Sequence, residues 1–184
     1  MTLVELVICV DAALDEDRLP HAFGGALALA YVAEPRGTAD ADVNVFAPVD
    51  EVGPVTECLA RTSLTPEPTS TSWMPAAGLR FRHSRSPFAV DVFLSLDEHY
   101  DEVRSRVVRR PFGPDAAMLP FLSAEDLVVF KLSFGRAKDW VDLSSIAATT
   151  GDLDIAYVER QLLALRGPAM HPRLARMRAL LAGG

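Results

Sequence analysis

Lysine is nearly missing from this chain. Of the 18 basic residues among 184, only Lys131 and Lys138 are lysine and the rest are arginine. Cysteine is also scarce: Cys9 and Cys58 lie in apolar surroundings and share no ligand-like spacing, so a disulfide framework and a zinc site are both excluded and the two are read as reduced packing residues. No apolar run approaches the roughly 20 residues that cross a bilayer. The opening "LVELVICV" is far too short and has no basic residues ahead of a cleavage-like site, so a soluble, cytoplasmic protein without a membrane partner is expected. Positive net charge is absent too, and a balance of −7 argues against coating nucleic acid by bulk electrostatics. Internal repeats and low-complexity tracts are missing, and His21, His83, His99 and His171 fall in no spacing of a metal cluster or nucleophile triad.

What is present is a chain that is 49% hydrophobic, enough for one globular unit with a single core. "LVELVICVDAALDE" has helical apolar spacing, with strand left open by its β-branched content. "HAF", Gly24-Gly25 and "ALALAYVA" read as strand, tight turn and helix, with Pro35 ending the helix. "DADVNVF" is a second strand, and "VDEVGPVTECLART" a connection that is partly helical and broken near Gly53-Pro54. After a polar loop holding Trp73, "GLRFRHS" and "FAVDVFLS" form a hairpin. From Leu96 onward the pattern is helical: a solvated start in "LDEHYDE", Ser123 capping "AEDLVVFKLSF", and helices at about 139–148, 154–165 and 172–182. The expectation is an α+β class, a small mixed sheet covered by helices, with residues 1–95 as core and 96–184 as a helical C-terminal part of one compact unit.

Chemistry is sought on the sheet. Asp40, Asp42 and Asn44 share one face of their strand while Val43 and Val45 take the other. Two carboxylates about 7 Å apart along a strand can converge on divalent cations, and oxygen donors suit magnesium or manganese. On "FAVDVFLS", Asp91 sits among apolar residues, where its charge requires a partner. Two readings stand: an ion pair with a nearby arginine, or, as preferred, a third carboxylate directed at a metal beside Asp40 and Asp42. Gly24-Gly25 can admit an anion at the start of the following helix.

"HAFGGALALAYVAEPRGTADADVNVF" resembles the nucleotidyltransferase-superfamily signature, in which Gly-Gly or Gly-Ser opens a helix and an Arg-X-Thr/Ser-X-Asp-X-Asp strand follows. "SAEDLVVFKLSFGRAKDWVDL" resembles the second motif of AbiEii-like and MenT-like toxin nucleotidyltransferases: a helical Lys, an Arg, then Asp-X-X-Asp. The resemblance implies a polymerase β-like nucleotidyltransferase fold and transfer of a nucleoside monophosphate from an NTP to an acceptor hydroxyl with Mg2+ or Mn2+. It implies that Gly24 and Gly25 bind triphosphate, that Asp40 and Asp42 hold the metal, and that Asp91 completes the set and helps deprotonate the acceptor. Arg36 and Thr38 would rim the nucleotide site, Lys131 would reach the phosphates, and Arg136, Asp139 and Asp142 would shape the same cleft. Gly25 replaces the usual serine, with Thr38 as an alternative hydroxyl.

The toxin branch implies a tRNA 3′ end as acceptor, toward which the arginine-rich segments point, and a cognate antitoxin protein. Overall acidity equally permits a drug-modifying nucleotidyltransferase acting on an aminoglycoside-type antibiotic. A third alternative is an inactive nucleotide-binding domain. Lysine usage adds that Lys131 and Lys138 both fall inside the second motif, where a compact flexible ammonium is wanted over a planar fork. For Lys138 a surface ion-pair lattice is the competing reading, and Trp73 and Trp140 are read as packing residues.

Overall fold

The computed structural model describes residues 1–67, 78–95 and 99–183; the loop with Trp73 and the start of the "LDEHYDE" helix lie outside them. Helix α1 (Leu3–Glu16) begins at a capping box in which Thr2 Oγ1 accepts from Glu5 N at 3.2 Å and the Glu5 carboxylate accepts from Thr2 N at 2.7 Å. Then come β1 (His21–Phe23), α2 (Gly25–Leu29), β2 (Asp40–Pro48), α3 (Val52–Ala60), β3 (Leu64–Pro66), β4 (Gly78–His83), β5 (Ala89–Ser95) and α4 (His99–Ser105). The chain closes with β6 (Val108–Phe112), β7 (Ala117–Phe121), α5 (Ala124–Phe134), α6 (Ala137–Thr149), α7 (Ile155–Arg166) and α8 (His171–Ala182).

The strands form one seven-stranded mixed sheet in the order β3-β4-β5-β2-β1-β7-β6. β2 runs parallel to β5 and β1 parallel to β7, while the other neighbours are antiparallel. Alternation along β2 sends Val43 and Val45 fully into the main core, which also takes in Leu6, Val7 and Val10 of α1, each worth about 1.5–3 kcal/mol of burial for a residue of this size. The opposite face carries Asp40, Asp42 and Asn44. Phe46 continues that row into a second apolar cluster with Ala22, Val103 of α4, Leu122 and Phe130 of α5. The carboxylate-bearing face is therefore bounded by α4 and α5.

Four sequence expectations change. The stretch 62–72 was expected to be a polar loop, yet Leu64–Pro66 within it forms β3 and pairs with β4. Helix alone was expected beyond Leu96, yet β6 and β7 form a hairpin whose second strand joins β1. Arg109-Arg110-Pro111 and Pro120 break the period-2 alternation that marks a strand, and Pro111 is tolerated because β6 is the sheet edge. Helix α2 stops at Leu29, well before Pro35, followed by turns. Gly53-Pro54 breaks nothing: it sits in the first turn of α3, where proline's missing N–H has no intrahelical partner to lose. The expected division at Gly135 holds. Gly135 adopts φ +63° and ends α5, and Arg173 of α8 packs there, donating to the carbonyls of Leu132 at 2.6 Å and Ser133 at 2.8 Å.

Candidate active site

The central strand pair sets the geometry. In the parallel β2–β5 ladder Asp42 lies directly across from Asp91, and Asp40 one pleat earlier across from Ala89. Asp40, Asp42 and Asp91 line a single open cavity with Thr38, Arg80 and Phe93. Carboxylates from separate strands thus face one space, as the alternation on each strand requires.

Arg80 organises the near side of this cavity. It stands on β4 across from Asp91 and donates through one terminal nitrogen to both Asp91 oxygens, at 3.0 and 2.9 Å; the other reaches Asp40 at 2.5 Å. Of the two readings held for Asp91, the arginine pair is therefore present. Burial, and then the neighbouring Asp42 charge, still push the Asp91 carboxyl up to about 6 against the pull of Arg80. Among the described residues no three Asp, Glu, His or Cys side chains stand gathered as a ready metal cluster; Arg80 takes the cation's part between Asp40 and Asp91.

Asp42 differs from its neighbours. Neither a hydrogen-bond donor nor an ion-pair partner engages its carboxylate among the described residues, and burial raises its pKa, with Lys131 and Lys138 pulling the other way. Its position depends on Gly25. That residue has φ +54°, and a Cβ built there would lie 1.7 Å from Asp42 Oδ2. A serine at position 25, usual in the signature this chain resembles, would occupy the carboxylate's place. Gly24 extends the sheet by donating its N–H to the Asp42 carbonyl at 2.9 Å. Thr38 is engaged in a local turn, its hydroxyl donating to the Asp40 carbonyl at 2.9 Å and accepting from Asp40 N at 3.2 Å. This turn answers why aspartate opens the strand: β2 starts from a side-chain-stabilised bend that aims Asp40 and Asp42 into the cavity.

A second, narrower cavity adjoins the first across Arg36, Asp42, Phe93, Arg136 and Lys138. Gly25, Asp42 and Asn44 form one wall; Phe93, Tyr100, Leu127, Phe130 and Phe134 give the rest an apolar, aromatic character. On its far side the second motif is locked internally. Asp142 accepts from Arg36 Nε at 2.8 Å, from Arg36 Nη2 at 3.0 Å and from Lys131 Nζ at 2.5 Å. Burial alone would raise Asp142, but hydrogen bonds from Arg36 and Lys131 outweigh it and hold the carboxyl below its ordinary value. Asp139 forms a capping box at the start of α6, accepting from Arg136 N at 3.0 Å and from its guanidinium at 2.8 and 3.2 Å.

Of the residues expected from the two motifs, Gly25, Arg36, Thr38, Asp40, Asp42, Asp91, Lys131, Arg136 and Asp139 line one or both cavities, while Gly24 and Asp142 line neither. Lys131, Asp139 and Asp142 act as a packed support that reaches the cavity surface, and the Lys131 ammonium is committed to Asp142. Sequence reasoning gave no site role to Arg80, Phe130 or Phe134, and left Lys138 between a wanted ammonium and a surface ion-pair lattice. The i, i+4 spacing of Phe130 and Phe134 was a legible signal for a shared face, whereas Arg80 needed the register of β4 against β5 to be paired with Asp91 and Asp40.

No family model and no curated protein sequence matches the chain. Solved structures do resemble it. The crystal structure of ANT(2'')-Ia in complex with adenylyl-2''-tobramycin superposes with a TM-score of 0.57 at 16% identity, over 97% of this chain and 98% of that one. The lincomycin-bound lincosamide antibiotic adenylyltransferase LnuA gives 0.56 at 13% identity, over 79% of this chain and 97% of the other. The solution structure of ANT(2'')-Ia gives 0.52 at 16% identity, over 98% and 89%. These neighbours do not single out the AbiEii-like or MenT-like branch. At such identities the likeness speaks for architecture, and what it establishes is that this mixed sheet with its flanking helices has the nucleotidyltransferase fold.

Proposed function

We propose that the protein is a divalent-metal-dependent nucleotidyltransferase that moves a nucleoside monophosphate from an NTP to a hydroxyl of a small-molecule acceptor. The observation that carries this reading is the half-buried Asp42 carboxylate, left without a donor beside Asp40 and across from Asp91 and pressed against Gly25. A carboxylate partly withdrawn from water and without a partner fits a group that meets a cation on ligand binding. The all-oxygen donor set of Asp40, Asp42 and Asp91 fits magnesium or manganese, with Arg80 releasing Asp40 and Asp91 as the charge is replaced. When bound, such an ion neutralises charge developing on the transferred phosphoryl group and the departing pyrophosphate.

The residues of this chain do the remainder. The acceptor oxygen bonds to the α-phosphorus while the bond to pyrophosphate breaks. Asp91, which faces the same cavity, would take the hydroxyl proton. The aromatic cavity beside Gly25 and Asp42 suits a base or other flat group, and holding both reactants supplies much of the acceleration.

Among acceptors, arginine accounting favours a small molecule over the tRNA 3′ end and its implied antitoxin partner. A polyanion requires free cations presented together. Here Arg80, Arg82, Arg106, Arg160 and Arg178 are ion-paired with carboxylates of the chain itself. Arg173 and Arg109 donate to backbone carbonyls, and Arg176 lies over the Trp140 ring at 3.9 Å. Of the arginine-rich segments that leaves Arg85, Arg104, Arg110 and Arg166 without a side-chain partner among the described residues, and only Arg166 lines either cavity. ANT(2'')-Ia in complex with adenylyl-2''-tobramycin and lincomycin-bound LnuA supply the acceptor classes to try first. The test incubates the protein with each labelled NTP and magnesium in the presence of aminoglycosides, lincosamides or total tRNA, with Asp42→Ala alongside. Label on a small-molecule acceptor, lost in the variant, supports the proposal. Label in RNA alone returns the toxin reading, and no transfer despite nucleotide binding leaves an inactive binding domain.

A further inference from the structure

We propose that Lys138, rather than Lys131, is the side chain that grips the nucleotide's triphosphate, an inference that rests on the nucleotidyl-transfer reading. Of the cations around the two cavities only Lys138 and Arg166 have no hydrogen-bond or ion-pair partner among the described residues, and Arg166 lines the aromatic cavity alone, away from the carboxylate row. Arg36 and Lys131 share Asp142, Arg136 holds Asp139, and Arg80 holds Asp91 and Asp40. Lys131 is 4% exposed, and moving its ammonium toward a ligand would strip a donor from a buried carboxylate.

Lys138 stands in the opposite situation. It is exposed, lines both cavities, and has no hydrogen-bond or ion-pair partner among the described residues. Its charge is felt at Asp42 and at Asp91, so the ammonium overlooks the carboxylate row from the side of the aromatic cavity. Fold stability gives no account of a cation there. Lys138 is the second residue of α6, where the helix dipole opposes positive charge. Nor does the chain's general usage, which fills 16 of 18 basic positions with arginine. A flexible stem carrying three rotatable donors suits a triphosphate that must be met between a base pocket and a row of carboxylates.

The experiment is calorimetric titration of the magnesium complexes of ATP, GTP, CTP and UTP, and of the corresponding monophosphates, into wild type, Lys138→Ala, Lys138→Arg and Lys131→Met. For whichever triphosphate binds wild type, Lys138→Ala is expected to weaken affinity roughly 10-fold or more, the usual loss on deleting a charge-assisted contact. The monophosphate should change less than about 2-fold, Lys138→Arg should recover most of the loss, and the melting temperature should not move because the side chain is exposed and unpaired. Wild-type triphosphate affinity in Lys138→Ala overturns the proposal, as does an equal loss for mono- and triphosphate. A phosphate-selective loss in Lys131→Met without one in Lys138→Ala also overturns it, returning the role to Lys131. If wild type binds none of the four, the nucleotidyl-transfer reading itself falls and takes this inference with it.

Discussion

Asp42 and Asp142 are the same residue in two differently finished regions. Asp142 is surrounded by donors from Arg36 and Lys131, and its carboxyl is held below the ordinary range despite burial. Asp42 is given no donor, and burial raises it. The first region is electrostatically complete within the protein and behaves as scaffold. The second has no donor within reach among the described residues, the deficit that the proposed divalent cation would fill. Contact lists alone would rank the Asp142 cluster as the more elaborate site; it is the deficit at Asp42 that marks where chemistry belongs.

Substitutions can break or sharpen this contrast. The largest expected effect is on transfer: Asp42→Asn should lower kcat by about 10^3-fold or more, comparable to removing a principal electrostatic stabiliser of the transition state. Its ligand-free melting temperature should hold or rise, since a half-buried charge without a partner is removed. Asp142→Ala should do the reverse in kind, costing about 3–5 kcal/mol in urea unfolding because Lys131 and Arg36 are left facing each other. Equal stability losses in the two variants would erase the distinction drawn between the regions.

Gly25→Ala should be intermediate. The added methyl meets Asp42 Oδ2 and the residue must keep a positive φ, so a loss of about 1–3 kcal/mol is expected together with a fall in activity as the carboxylate is displaced. Thermal melts across pH measure the smallest effect. Asp91 has a folded pKa raised to about 6 against about 3.9 unfolded. The folded state therefore binds its proton more tightly, and the stability this group lends is fullest below pH 4 and is lost as pH rises through about 6. The swing is at most on the order of 3 kcal/mol, and Asp91→Asn should flatten it. Asp142, being depressed, works in the opposite sense: its contribution is present above the unfolded carboxylate value and is lost as pH falls through its folded value.

Much of the site was legible in sequence because its parts are local. Two aspartates one residue apart on a strand share a face whatever surrounds them, and two adjacent glycines before a helix announce close backbone approach. Ser123 and Gly135 bound α5 by their own hydrogen bonding and φ preference. The β6–β7 hairpin was hidden because an edge strand carrying Arg109, Arg110 and Pro111 has no apolar alternation to display. The length of α2 was hidden because "ALALAYVA" is apolar with or without a helix.

Sequence by itself determined the carboxylate row on β2, the acid on β5, the diglycine and the helical second motif, since each depends on the chain's own period and on residues a few positions apart. Only the tertiary structure decided which charges meet. The β2–β5 and β4–β5 registers bring Asp42 opposite Asp91 and lay Arg80 across Asp91 and Asp40, while the packing of α5 against α6 gives Lys131 to Asp142 and leaves Lys138 unpaired. Pairing of charges distant in sequence is fixed by burial and distance, and neither quantity exists until the sheet and helices have closed around them.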